Sequence, residues 1–100
     1  MSFKLETRPL AAIEILEAYD WYELAKAGLG LEFLKELENF YDGLTNNPKT
    51  HSYYENPVRQ GRLKRFPYVV IYEIFDSTVV IYSVLWPNRI LRKRERRSLN

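Results

Sequence analysis

The sequence predicts an α+β domain in which a helical hairpin packs on one face of a mostly antiparallel sheet, in the order β-α-α-β-β-β. Residues 10–27 and 30–46 carry apolar side chains at three-and-four spacing, which is typical of two amphipathic helices. Residues 68–75 and 78–86 are rich in Val, Ile, Tyr and Phe, and the two residues between them predict a hairpin. One hundred residues suit a single two-layer domain, with no repeat or linker.

The first elements are a strand and a helix. Residues 2–8 alternate, with Phe3 and Leu5 on the predicted buried side, and Pro9 ends the strand and favours a first helical turn. The predicted buried stripe of the helix consists of Ala12, Ile15, Leu16, Tyr19, Tyr22 and Ala25. The carboxylates of this helix are interpreted as a solvated face rather than a metal site, because no Glu-x-x-His accompanies them; they are Glu14, Glu17, Asp20 and Glu23.

The second helix and the strands follow. Gly28 is a plausible left-handed helix end, and Asn46-Asn47-Pro48 ends the second helix. Its predicted stripe is Phe33, Leu34, Leu37, Phe40, Tyr41 and Leu44. Residues 47–57 are polar and predict a surface loop, and residues 58–65 predict a weaker strand. The segment after 88 is basic and is expected to be a short helix or a disordered arm.

Composition excludes several classes of site. The chain has no cysteine, which rules out disulfides, thiolate metal sites and cysteine nucleophiles. His51 is its only histidine and is interpreted as a solvated loop residue, since no nucleophile-elbow glycines accompany it. No signal peptide or membrane-spanning run is visible, so we expect a cytoplasmic protein. We expect no metal and no cofactor, because neither a phosphate loop nor a dinucleotide fingerprint is present.

Charge is distributed unevenly along the chain. Residues 1–58 hold 5 Lys/Arg and 10 Asp/Glu, a balance of −5, whereas residues 59–100 hold 10 and 3, a balance of +7. The two halves recover the formal net charge of +2. Such a polarised surface steers an anionic partner to one side.

The basic half supplies the candidate binding residues. The cations that could hold phosphates or an acidic target are Arg59, Arg62, Lys64, Arg65 and Arg89. The aromatic residues that could stack on bases are Tyr68, Tyr72, Tyr82 and Trp86. The alternative interpretation is a sheet edge that its charges protect from aggregation. The cluster from Arg92 to Arg97 is either a polyanion-binding arm or a solubilising tail.

The order and spacing of these pieces resemble the RelE/ParE toxin superfamily of bacterial type II toxin–antitoxin systems, which includes plasmid-stabilisation proteins. The segments that carry the resemblance span residues 11–23, 28–37, 47–48, 65–72 and 84–89. No single segment is specific, but together they cover most of the chain. The resemblance implies the β-α-α-β-β-β fold given above.

The resemblance implies two possible activities. RelE-like members cut messenger RNA on the ribosome, and ParE-like members poison DNA gyrase without nuclease activity. Arg62 and Arg89 fall where two RelE-like catalytic cations would lie, and would be catalytic only in a ribonuclease. Val69 replaces another expected arginine, and Glu95 falls near an expected terminal tyrosine. These departures favour the ParE-like interpretation.

The target surface implied by the resemblance adds Trp86 to the five cations, at a position where ParE-like members often have histidine. Either activity implies a cognate antitoxin, whose C-terminal segment would occupy the open sheet and the groove beside the helices, and whose acidic residues would match the basic surface. The expected partners are therefore an antitoxin and either gyrase or the ribosome with its messenger. A non-toxic interaction module with the same fold is the third hypothesis.

Overall fold

A computed structural model describes residues 2–87, which form two helices and five strands. The elements are β1 (Lys4–Thr7), α1 (Pro9–Ala25), α2 (Leu29–Asn46), β2 (Tyr53–Glu55), β3 (Val58–Arg62), β4 (Val69–Phe75) and β5 (Thr78–Leu85). A short 3₁₀ helix, Pro48–Thr50, connects α2 to the sheet. The strand order is β1-β5-β4-β3-β2, with β1 parallel to β5 and the other pairs antiparallel. The α+β prediction is confirmed, with one strand added.

The added strand, β2, lies inside the segment that the sequence predicts to be a loop. It pairs antiparallel with β3 and precedes a cis peptide bond between Asn56 and Pro57. All three of its residues are exposed, so it has no buried side that an alternating apolar pattern would reveal. The prediction of a surface loop over 47–57 is therefore right about the exposure of most of these residues, but it missed β2.

The predicted buried face of β1 was also only partly right. All four residues of β1 are exposed, including Leu5, because β1 is an edge strand that pairs on one side only. Phe3 lies just before the strand and packs against the core. The strand passes directly into α1, and Arg8 donates its backbone N–H to Ile81 at 2.9 Å.

The buried stripe of α1 differs from the predicted one. Ala11 and Ala18 are fully buried, and Ile15 and Tyr22 pack against the core, whereas Leu16 is exposed. The helix thus buries two alanines most deeply, and several of its larger aliphatic residues face solvent. Because α1 has large apolar residues on nearly every side, spacing alone could not identify its buried face.

Two carboxylates of α1 have structural partners, so the prediction of a fully solvated acidic face was wrong for them. Glu14 accepts hydrogen bonds from the Ser83 hydroxyl at 2.6 Å and the Val84 N–H at 3.1 Å. It contacts β5 beyond the point where β1 has ended. Glu23 accepts N–H bonds from Gly28, Gly30 and Leu31 at the start of α2.

The core lies between the helices and one sheet face. It is built from Phe33, Leu37 and Leu44 of α2 and from alternate residues of the central strands, Val70, Tyr72, Val79, Ile81 and Val84. An aromatic cluster closes one end, where Phe33 lies 5.4 Å from Phe66 and 5.2 Å from Tyr68 between ring centroids. A β-bulge near Tyr72 shifts the register between β4 and β5. The helical hairpin is therefore anchored mainly on β4 and β5.

Candidate target-binding groove

A groove of about 570 Å³ lies between α2 and the end of β3. Its lining on this side is Glu36, Asn39, Phe40 and Gly43 of α2, and Asn47 directly after the helix. These positions recur at three-and-four spacing, so they form one stripe of the helix. The opposite wall consists of Thr50, His51 and residues 62–65. Its lining includes three of the cations that the sequence predicts to bind a target, namely Arg62, Lys64 and Arg65.

Close packing of Phe40 on the sheet forms the floor of the groove. Gly61 of β3 lies against the Phe40 ring, and a β-carbon at this position would collide with that ring. β3 ends at Arg62, earlier than the predicted residue 65, because the chain then turns: Leu63 donates its N–H to the Tyr68 carbonyl at 3.1 Å. The turn brings the side chains after Arg62 to the rim of the groove.

His51 is built into this floor and is not the solvated loop residue predicted from the sequence. Its ring packs edge-on against Phe40, 5.1 Å between centroids, and against Tyr72 at 6.2 Å. Burial, and secondarily the positive charge of Arg59, lower the pKa of His51 below its usual 6.5. The imidazole therefore serves as a packing residue that resists protonation.

Arg59, one of the predicted target-binding cations, is engaged within the fold. Its guanidinium donates to the His51 carbonyl at 2.6 Å and the Lys49 carbonyl at 3.4 Å. It also lies over the Tyr53 ring, 4.2 Å from the centroid, and donates to the Tyr53 hydroxyl at 3.0 Å. These contacts fasten the 3₁₀ turn and β2 to β3, so Arg59 has a structural role.

Arg65 is likewise occupied. Its side chain pairs with Glu32 of α2 at 2.9 Å, and its backbone N–H donates to both carboxylate oxygens of Glu36. The guanidinium also lies 5.3 Å from the Phe66 ring centroid. Arg65 therefore connects the β3–β4 turn to α2.

Arg62 and Lys64 differ from these two cations. Both are exposed, and neither side chain has a hydrogen bond or ion pair with any residue between 2 and 87. Both line the groove. The structure thus divides the four predicted cations of this region into two that brace the fold and two whose charge faces outward.

Two of the four aromatic residues predicted to stack on bases are inaccessible. Tyr68 and Tyr72 are buried, and the Tyr72 hydroxyl donates to the Pro48 carbonyl at 2.6 Å. Trp86 is half-buried and packs against the core. Tyr82 donates to Glu73 at 2.7 Å on the other sheet face. The prediction of a base-stacking platform was wrong for Tyr68 and Tyr72, because their rings fill the core.

Other predicted features lie elsewhere. Val69, which replaces an arginine expected of RelE-like nucleases, pairs with Arg62 across the ladder and is buried. Arg89 and the basic segment from Arg92 to Arg97 lie outside the described residues. Between residues 2 and 87, no three His, Asp or Glu side chains are grouped so that they could hold a metal ion. No helix in that range is long and apolar enough to cross a bilayer.

The fold places the protein in a class of small two-layer α+β domains with a helical hairpin on a five-stranded sheet. A solved structure described as the chromosomal ParDE TA system from P. aeruginosa superposes with a TM-score of 0.72 and 18% identity. The match covers 83% of this chain and 94% of that one. No curated protein matches the sequence.

The sequence itself identifies the family. Residues 5–91 match the family described as the ParE toxin of the type II toxin–antitoxin system parDE. Because the match spans most of the chain, the protein belongs to the ParE toxin family. The predicted superfamily is thereby confirmed, and with it the ParE-like side of the resemblance.

Proposed function

We propose that this chain is a growth-inhibiting toxin that acts in the cytoplasm by binding DNA gyrase, and that a cognate antitoxin neutralises it. Membership of the ParE toxin family supports the toxin role. The observation that carries the binding surface is the exposure of Arg62 and Lys64 beside the groove, without partners among residues 2–87. Two cations without partners in the fold are suited to binding an acidic surface of a macromolecular target.

A binding toxin fits these residues better than a ribonuclease does. Cleavage of RNA needs phosphate-binding cations and a residue that activates the 2′-hydroxyl. Arg62 could serve the first purpose, but the neighbouring ladder position is the buried aliphatic Val69. His51 is wedged between two rings with a lowered pKa. Val69 supplies neither a charge nor a proton acceptor, and the ring contacts of His51 hold its imidazole against Phe40 and Tyr72.

The groove suits an extended segment of the proposed antitoxin. From Glu36 to Asn47 the α2 stripe spans roughly 16 Å, enough for about five extended residues. Phe40 and Leu63 offer apolar contact, and the amides of Asn39 and Asn47 offer hydrogen bonds. An acidic side chain in that segment would reach Arg62 or Lys64, so antitoxin and target would compete for the same charges.

The test is tightly controlled expression in a bacterium, with growth, plasmid supercoiling and messenger integrity measured in one culture. We expect growth arrest with impaired supercoiling and intact messenger. The double variant Arg62→Ala/Lys64→Ala should restore growth at equal protein level. Lys35→Ala, which removes an exposed cation of α2, is the matched control and should leave toxicity unchanged.

Other outcomes of this experiment would support a different target or a different function. Arrest with normal supercoiling would remove gyrase as the target, and arrest with cut messenger would support the RelE-like alternative. Healthy growth with soluble, folded protein would support the non-toxic interaction module. Purified gyrase in a supercoiling assay then separates direct inhibition from secondary effects of growth arrest.

A further inference from the structure

The outward face of α1 carries a row of large exposed apolar side chains. Its members are Leu10, Ile13, Leu16, Trp21 and Leu24. Their exposed fractions range from 58% to 88%. At 100° per residue Ile13, Leu16 and Leu24 lie within about 50° of the direction opposite the fully buried Ala11 and Ala18, and Leu10 and Trp21 lie on one flank of that face. The row is thus a consequence of the orientation of α1 on the sheet.

This face is too apolar to be an ordinary solvated helix surface. Single exposed apolar residues are common on proteins, but several large ones gathered on one face of one element indicate an interaction site. From Leu10 to Leu24 the row extends about 21 Å, or four helical turns. That length matches a helix of roughly the same size lying alongside.

The charge on α1 restricts what can bind there. The helix contains four carboxylates and no Lys or Arg. Glu14 and Glu23 are engaged with Ser83 and Gly30 inside the fold. Glu17 and Asp20 are exposed, and they lie between the apolar residues at the two ends of the row. Along its length, this face of α1 is therefore apolar at both ends and acidic in the middle.

We propose that the outward face of α1 binds an amphipathic helix of a partner protein, whose contact row is apolar at both ends and carries Lys or Arg at its centre. The apolar ends would cover Leu10, Ile13 and Leu24, and the central cations would pair with Glu17 and Asp20. This surface is separate from the groove at Arg62 and Lys64, which attracts acidic groups. The interface does not depend on gyrase being the target.

The same charges argue against two other occupants. A second copy in an antiparallel pairing of α1 helices would bring the Glu17 and Asp20 pairs together, which is repulsive. An anionic membrane surface would repel the same carboxylates, whereas membrane-surface helices typically carry Lys and Arg. A basic helix satisfies both the apolar row and the acidic centre.

Two labelled helical peptides of about 18 residues test the proposal by fluorescence anisotropy with the full chain. Both carry Leu along one face, and their central residues are Lys in one peptide and Glu in the other. We expect the Lys peptide to bind at least about tenfold more tightly. The Glu17→Lys/Asp20→Lys variant should reverse this preference.

The second part of the experiment removes the apolar contacts. Ile13→Ser/Leu24→Ser should abolish binding of the Lys peptide, and both positions are exposed, so the melting temperature should hardly change. Tyr54→Ser, an exposed aromatic change on β2, is the control and should bind as wild type does.

Three results would overturn the proposal. One is equal affinity for both peptides, or affinity that the Ile13→Ser/Leu24→Ser variant retains. Another is a dimer in sedimentation that Leu24→Ser dissociates, which would assign the face to a second copy. The third is binding to vesicles of phosphatidylcholine and phosphatidylglycerol that Leu24→Ser abolishes, which would assign it to lipid.

Discussion

The Glu23 carboxylate of α1 accepts a hydrogen bond from the backbone N–H of Gly30 at 2.8 Å. It thereby satisfies N–H groups at the start of α2 from the preceding helix, where no side chain of α2 itself provides a cap. Gly30 permits this approach, because a β-carbon there would lie 2.7 Å from the Tyr19 carbonyl oxygen. The hairpin is therefore fixed by a carboxylate and a glycine acting together.

Replacing Glu23 by Ala should destabilise the protein by about 1–2 kcal/mol, because three N–H groups lose an anionic acceptor at a helix N-terminus. Chemical denaturation with circular dichroism measures the loss. Glu17→Ala, on an exposed position of the same helix, is the control and should change stability by less than about 0.5 kcal/mol. Equal stability of the two variants would contradict the capping role.

The sequence predicts the helices and central strands well because their residues have a buried side that repeats with the right period. It fails where a residue's partner is distant in the chain. Glu14 meets Ser83, which lies 69 positions away, and nothing in the local pattern of α1 distinguishes it from Glu17. The same limit applies to the cations. Arg59 and Arg62 are both arginines of one strand, but the Arg59 side chain donates to the His51 carbonyl, whereas the Arg62 side chain lines the groove.

Leu37→Ala should destabilise the protein by roughly 2–5 kcal/mol, because it would leave a cavity at a buried position of α2. Thermal unfolding provides the measurement. Leu31→Ala, at an exposed position of the same helix, is the matched control and should leave the melting temperature nearly unchanged. An unchanged melting temperature for Leu37→Ala would show that α2 packs differently.

Two tyrosine hydroxyls should respond in opposite ways to replacement by Phe. The Tyr72 hydroxyl donates to the Pro48 carbonyl at 2.6 Å in the core, so Tyr72→Phe should cost about 1–3 kcal/mol. The Tyr41 hydroxyl is buried without a partner among residues 2–87, and burial raises the pKa of Tyr41. Tyr41→Phe should therefore be neutral or stabilise by up to about 1 kcal/mol.

Denaturant titrations of the two variants beside wild type measure this contrast. Both changes remove one oxygen from a tyrosine ring, so each variant is the control for the other. A loss of stability in Tyr41→Phe as large as that in Tyr72→Phe would indicate that Tyr41 has a partner in the folded chain.

Stability should fall as pH falls below about 6.5, in part because of His51. Burial and Arg59 lower its pKa in the folded state, so the unfolded chain binds the proton first. The contribution of neutral His51 is complete above pH 6.5 and is lost as the pH falls through its lowered folded-state pKa. Melting temperatures of wild type and His51→Gln between about pH 7 and pH 5.5 should diverge, with the variant less sensitive. Parallel curves would exclude this role.

The last prediction follows from the division of the cations into structural and outward-facing residues. Arg59→Ala should lower stability by about 1–2 kcal/mol, since its guanidinium donates to two carbonyls that hold the 3₁₀ turn. Arg62→Ala should leave stability within about 0.5 kcal/mol of wild type, because the Arg62 side chain is exposed and has no partner among residues 2–87.

Growth inhibition should show the opposite order once protein levels are matched. Arg62→Ala should lose toxicity while keeping its melting temperature, whereas Arg59→Ala should keep toxicity at temperatures where it remains folded. Lys substitution distinguishes charge from geometry. Arg62→Lys should retain most toxicity if a cation suffices, whereas Arg59→Lys loses the guanidinium in which Nη1 donates to two carbonyls and Nη2 donates to the Tyr53 hydroxyl. If Arg59→Ala alone abolished toxicity in folded protein, the outward-facing pair would not be the binding surface.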